Sequence, residues 1–247
     1  MPELVDRPPL RNIAGRWLRD SLRVRGARGT LKYLAEQSWE VLKDSMPERR
    51  RSRFGDIDYD CDYGVDTTWA RLPWRVRLRE VFSERLYQPT SPDEFDVIMQ
   101  HLASVDFSQF TFIDMGSGKG RVLLMAAMYP FRHVIGVEVQ PDLHAIAEQN
   151  IEMFNVSGRQ CARIESVCMD AREFQFPQTP LLVYLFNPFP DYVLRNVLEN
   201  LGRSLAENPR ITYVAYNAPF EQHAFVGLDW LERIVHHERY QVYRARV

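Results

Sequence analysis

The sequence predicts an α/β fold: a doubly wound, mostly parallel seven-stranded sheet with an antiparallel C-terminal hairpin and a helical N-terminal extension. Three observations predict it. From Ser91 onward, apolar runs of strand length alternate with segments whose apolar residues recur every three or four positions, the pattern of strands joined by helices that cover both faces of a sheet. The first of those runs ends in a glycine-rich turn, GSGKG, where such sheets usually hold a ligand. The last two runs lie only a few residues apart, too close for a helical crossover, and so pair antiparallel.

Taken in order, residues 1–10 are Pro-rich and without period. Ile13, Trp17, Leu18 and Leu22, then Leu31, Leu34, Trp39 and Leu42, return at helical spacing among charges. Two amphipathic helices are expected there, divided near Gly26 and Gly29. Residues 47–75, which contain FGDIDYDCDYGVDTTW, hold many Asp, Gly and Tyr residues without a sustained period and read as a long loop. At 92–104 a helix is expected, with Ser91 as its cap, Pro92 in the first helical position, and Phe95, Ile98, Met99 and Leu102 on one face. Strands are expected at 110–115, 133–139, 163–168, 181–186, 211–216, 231–236 and 240–247, with helices at 120–128, 142–154 and 192–205 and a short helix near Glu221. The chain therefore divides into a basic, partly helical extension with its loop, residues 1–85, and a ligand-binding sheet domain, residues 86–247.

Composition narrows the class. Apolar residues make up 45% of the chain and aromatics 12%, enough for a packed core. Three cysteines, Cys61, Cys161 and Cys168, form no CxxC pair, so neither a disulfide framework nor a thiolate zinc site is expected, and a reducing, cytoplasmic setting fits. No apolar run approaches the roughly 18 residues that span a bilayer, and MPELVDRPPL lacks a secretory core. No membrane is expected as a partner. The net charge of −2 conceals a basic first 54 residues, ending in ERRRSRF. Such a run ordinarily means a solvated helix face or tail, so nucleic acid is not the expected partner. His236 and His237 are adjacent while His101, His133, His144 and His223 are scattered, and no metal spacing emerges.

Gly116, Gly118 and Gly120 occupy the first strand-to-helix turn, and three ligands compete for it. A phosphate loop needs GxxxxGK followed by Ser or Thr, but Ile113 and Gly120 stand at two required positions. A dinucleotide loop needs a third glycine where Arg121 stands, although Glu138 at the second strand's end would suit a ribose. The third reading starts from Asp114. Its carboxylate would repel a phosphate, yet it suits a ligand carrying an ammonium and a carboxylate, the first held by Asp114 and the second by the loop amides. S-adenosylmethionine is such a ligand.

FIDMGSGKG, residues 112–120, matches in full the hydrophobic strand and DxGxGxG that open the class I (seven-strand, Rossmann-like) methyltransferases, which the chain resembles over residues 87–247. The resemblance implies their fold, S-adenosylmethionine as cofactor, and a site that includes Asp114, Gly116, Ser117, Gly118, Gly120 and Arg121. VIGVEVQPDL places Glu138, with Val139, where the family's acidic residue meets the ribose hydroxyls. CMDARE places Met169, Asp170 and Ala171 at the adenine. Upstream, LYQPTSPDEF together with DMGSGKGR is similar to the seven-strand protein-lysine methyltransferases, the Dot1-like histone enzymes and the ATP-synthase c-subunit enzyme among them. That similarity implies cofactor contacts from Tyr87 and Thr90, although QPTSPDE also reads as an ordinary helix start.

Asn187-Pro188-Phe189-Pro190 resembles the NPP(Y/F/W) signature of amino-group methyltransferases, with Phe189 where the second proline belongs. The Asn187 amide oxygen and the Pro188 carbonyl would accept hydrogen bonds from a target amine, and Phe189 would pack against it. The resemblance implies a methyltransferase acting on nitrogen, with protein lysine as one acceptor class. Small-molecule N- or O-methylation is the alternative, and a non-catalytic cofactor-binding module acting through its basic helices is a third reading.

Overall fold

The computed structural model describes residues 10–44, 57–68, 88–161, 163–219 and 222–246. The readings of residues 1–9, of Tyr87 and of Glu221 fall outside them. Two compact units divide the chain, Met1–Pro89 and Thr90–Val247.

In the first unit, α1 (Leu10–Asp44) leaves helical geometry at Gly26, where φ is 69° and ψ 174°. Trp17 and Tyr33 would stand about 24 Å apart along an unbroken helix, yet their rings are 5.6 Å apart. The Ser21 and Thr30 hydroxyls meet at 3.1 Å, and the Arg25 guanidinium lies 4.5 Å over the Tyr33 ring. The segment is a helical hairpin turning at Gly26, which agrees with two helices divided there. The expected loop at 47–75 is corrected by α2 (Ile57–Tyr63). IDYDCDY is poor in helix formers. Its Asp60 carboxylate instead clasps the chain beyond, accepting hydrogen bonds from the Thr67 and Thr68 backbone N–H groups, each at 2.9 Å, and from the Thr67 hydroxyl.

The second unit begins with α3 (Pro92–Gln100) and continues through β1 (Thr111–Met115), α4 (Arg121–Ala126), β2 (His133–Glu138), α5 (Pro141–Met153), β3 (Ile164–Cys168), β4 (Leu181–Phe186), α6 (Asp191–Glu207), β5 (Thr212–Asn217), β6 (Leu231–His236) and β7 (Tyr240–Ala245). The sheet order is β3-β2-β1-β4-β5-β7-β6. Strands β1 to β5 pair in parallel, and β7 runs antiparallel to both β5 and β6. This is the expected seven-stranded, Rossmann-like sheet, with the hairpin's second strand lying inside its first. Helix α3 stops short of the expected residue 104, and α4 is shorter than expected at both ends.

Alternation across the pleat sorts the core into two layers. Ile113 and Met115 of β1 and Val183 and Leu185 of β4 pack with Leu194, Val197, Leu198 and Leu201 of α6, whose spacing makes one helical stripe. On the other face Phe112 and Tyr184 stack, and Phe95 of α3 meets both edge-on. The chain winds outward through β1, β2 and β3, then returns to β4 on the far side of β1. That reversal opens a crevice at the carboxyl ends of β1 and β4, where ligands bind in such sheets.

Candidate active site

Asp114 sits near the end of β1, 3% exposed, in register with Gly136 of β2 and Tyr184 of β4. Burial, with the nearby Glu138 charge second, holds its carboxyl well above the usual carboxylate range. Among the described residues no hydrogen-bond donor and no cation meets that carboxylate. The glycine loop follows. Gly116 has φ 86°, and a Cβ there would lie 2.5 Å from the Cβ of Pro188, so the loop rests directly on the NPFP turn only because the side chain is missing. Gly120, at φ 85°, starts α4, and a Cβ there would lie 3.2 Å from that of Ala147 on α5. Sequence reading passed over Gly136, where a Cβ would fall 2.7 Å from the Ser117 hydroxyl oxygen and 2.6 Å from Leu123.

The loop amides are already engaged. Gly116 and Ser117 donate to the Val137 carbonyl at 2.8 and 3.1 Å, and Gly120 donates to the Ser117 carbonyl at 2.8 Å. Gly118 donates to Glu138 Oε2 at 2.9 Å, while Glu138 Oε1 accepts from the Gln140 N–H at 2.7 Å. Three of these four amides staple the loop to the end of β2, and the fourth closes the loop on itself. Glu138 is half of that staple.

Beyond β3, the Met169 N–H donates to the Glu138 carbonyl at 3.0 Å, which brings this turn beside Glu138 and Val139. Asp170 caps the 3₁₀ turn Ala171–Glu173 by accepting from the Arg172 N–H at 2.9 Å. Its carboxylate also binds the Arg172 guanidinium at 3.0 and 2.6 Å, which raises the arginine's affinity for its proton. Arg121 is buried in the first turn of α4.

At the end of β4, Asn187 takes φ 39°, a conformation that non-glycine residues adopt rarely, asparagine more readily than most. Its Oδ1 and the Oδ1 of Asp191 are enclosed without a partner among the described residues. Phe189 is 8% exposed and belongs to the core under α6, so the ring expected against an acceptor is spent on packing. Thr90, 2% exposed, lies 3.2 Å by its hydroxyl from the Tyr184 hydroxyl, which accepts from Asn217 Nδ2 at 3.1 Å. Complete burial keeps the Tyr184 phenol protonated well above the usual tyrosine range. Tyr184 and Asn217 were not singled out by sequence, though a tyrosine inside the buried run LLVYLF must find a hydrogen-bond partner.

A glycine loop stapled to β2, an acidic residue at each of the first three strand ends and an asparagine turn at the fourth define a Rossmann-like ligand-binding domain. Residues 112–208 match the family model described as a methyltransferase domain. S-adenosylmethionine is the methyl donor that goes with such a domain. No curated protein matches the chain. Among solved structures it is similar to an RNA methyltransferase from Salinibacter ruber in complex with S-adenosyl-L-homocysteine, at 23% identity over 64% of this chain and 92% of that one, with a TM-score of 0.44. The magnesium protoporphyrin IX methyltransferase of Synechocystis PCC 6803, with S-adenosylmethionine bound, is 11% identical over 81% of this chain and 96% of that one, with a TM-score of 0.47. The ribosomal protein L11 methylase of Lactobacillus delbrueckii subsp. bulgaricus is 12% identical over 64% and 80%, with a TM-score of 0.46. Among the described residues no helix is long and apolar enough to cross a membrane.

Proposed function

We propose that this protein transfers a methyl group from S-adenosylmethionine to an amine nitrogen, with the lysine side chain of a protein as the acceptor class. The observation that carries the donor half is Asp114: a buried carboxylate beside a second acid, met by no donor among the described residues. A cation is the group that relieves such an arrangement, and the α-ammonium of the cofactor fits it. Around that anchor, the Glu138 carboxylate at the end of β2 meets the ribose hydroxyls, and Asp170 lies at the adenine with Val139, Met169 and Ala171 flanking. Gly116, Ser117, Gly118, Gly120 and Arg121 form the loop and its helix start beneath the donor, with Thr90 beside it.

Bound there, the cofactor supplies an activated methyl on a sulfonium. The acceptor ammonium first gives one proton to solvent. Its nitrogen lone pair then forms the N–C bond as the C–S bond breaks, and the departing electron pair stays on sulfur as a neutral thioether. The protein's part is alignment and exclusion of water. Asn187 supports the amine reading because its Oδ1 has no partner among the described residues and accepts only from a donor, so it would take an amine N–H and aim the lone pair at the methyl. The burial of Phe189 favours a second reading, methylation of nitrogen or oxygen on a small molecule, since the aromatic wall of the amine signature is missing from the turn.

Two measurements test this. Calorimetric titration with S-adenosylmethionine should show binding that is lost in Asp114→Ala and Glu138→Ala. Labelled-methyl transfer into cell proteins, followed by hydrolysis, should release methyllysine. Label found only in small-molecule products, or on oxygen alone, would overturn the lysine assignment.

A further inference from the structure

The helical hairpin Leu10–Asp44 combines a charge pattern with an apolar pattern, and methyl transfer makes use of neither. Residues 10–32 hold seven Arg and Lys residues against one acid, Asp20. Charge alone would mean a solvated face. Yet Leu18 and Leu22 are exposed on the first arm, and on the second Leu31 is 68% and Trp39 56% exposed. Large apolar side chains gathered on a surface mark a place of contact.

The leucines share one side of the hairpin. Trp17 meets Tyr33, and Ser21 meets Thr30, so these four residues face the opposite arm and the arms run antiparallel. Leu18, Leu22 and Leu31 follow Trp17, Ser21 and Thr30 by one residue each, a further turn of about 100° round the helix. On two antiparallel helices, rotation in the same sense from the facing sides leads to the same side of the pair. Ala35 and Trp39 continue the row from Leu31 in steps of four. Arg19 and Arg28, both exposed, stand one turn before Leu22 and Leu31. Asp20 precedes Ser21, so the same geometry carries it to the other side.

We propose that this side of the hairpin docks on the anionic surface of a lipid membrane. The arginines are drawn to the lipid phosphates, while the leucines and Trp39 enter the boundary between headgroups and acyl chains. Nucleic acid would match the charge but has no use for a row of exposed leucines, so lipid is the better fit. A hairpin of this kind lies on the bilayer without crossing it, and among the described residues no helix is long and apolar enough to cross. The expectation that no membrane is a partner concerned spanning and secretory segments, and a surface-lying hairpin is neither.

Flotation of the full-length protein with vesicles tests this without any assay of methyl transfer. The protein should partition onto phosphatidylcholine vesicles containing phosphatidylglycerol at least tenfold more strongly than onto phosphatidylcholine alone. Arg19→Gln combined with Arg28→Gln should weaken that partition about thirtyfold, the worth of two charges near the surface. Leu22→Ser combined with Leu31→Ser should weaken it at least tenfold, at unchanged helicity by circular dichroism. Trp39→Ser, made separately, should weaken it severalfold and decides the apolar half if the leucine variant loses helicity. Equal partition onto both vesicles, full retention by the arginine variant or by the apolar variants, or no flotation at all overturns the inference. Tight binding of a random single-stranded RNA with a steep salt dependence, without flotation, overturns it in favour of nucleic acid.

Discussion

A carboxylate buried beside a second acid is a standing cost to the folded state, and Asp114 carries it. Its folded-state carboxyl lies above its unfolded one, so the native protein holds a proton that the unfolded chain releases. Stability from this group is present below the unfolded carboxyl range and is lost as pH rises through the folded value. Asp114→Asn should therefore raise the melting temperature by a few degrees near neutral pH, read by calorimetry. The same variant should bind S-adenosylmethionine at least a hundredfold more weakly. Binding to the unmodified protein should tighten as pH rises through the Asp114 titration, because the ammonium needs the ionised partner. The proton expelled on binding should appear as a heat that depends on the ionisation enthalpy of the buffer. On the acceptor-orienting role proposed for Asn187, Asn187→Ala should cut turnover by roughly a hundredfold while changing donor affinity less than about twofold. Asp114 was legible in the sequence because it stands at a fixed distance from three glycines. The saturation of the loop amides was not, since Glu138 lies 20 residues beyond Gly118 and only the β1–β2 register brings them together.

Among the elements, the glycine loop and the NPFP turn are one object, because Gly116 and Pro188 are in near contact. Gly116→Ala should cost about 1–3 kcal/mol through its positive φ, with the clash against Pro188 in addition, and should lower both donor affinity and turnover. A variant stable to within about 0.5 kcal/mol, measured by denaturant unfolding, would show that the turn yields freely. Strand β4 and the outer strand of the hairpin, Leu181–Phe186 and Leu231–His236, fall where the apolar runs place them, since strand-length runs between breakers have few other uses. Gly26 was equally legible as a break. Helix α2 was not, because Asp60 holds it by clasping Thr67 and Thr68, a tertiary device without a periodic trace. Tyr184 and Asn217 escaped for a related reason: their meaning lies in each other, on separate strands.

At the scale of the molecule, the unit Thr90–Val247 contains the whole sheet and its core. A chain beginning at residue 86 should unfold in a single cooperative transition, with coincident fluorescence and circular dichroism curves. Non-coincident curves would mean that the sheet depends on the preceding segment. The strand order within that unit also has a bearing on biosynthesis. Strand β6 emerges from the ribosome before β7, yet β7 is the strand that joins it to β5. Until the codon for Ala245 has been read and that residue has cleared the exit tunnel, β6 has no complete partner and β5 is left as an open edge. A message broken after His236 would thus yield a product whose parallel half is assembled and whose rim invites pairing with any passing strand, a species for chaperones and proteases to recognise.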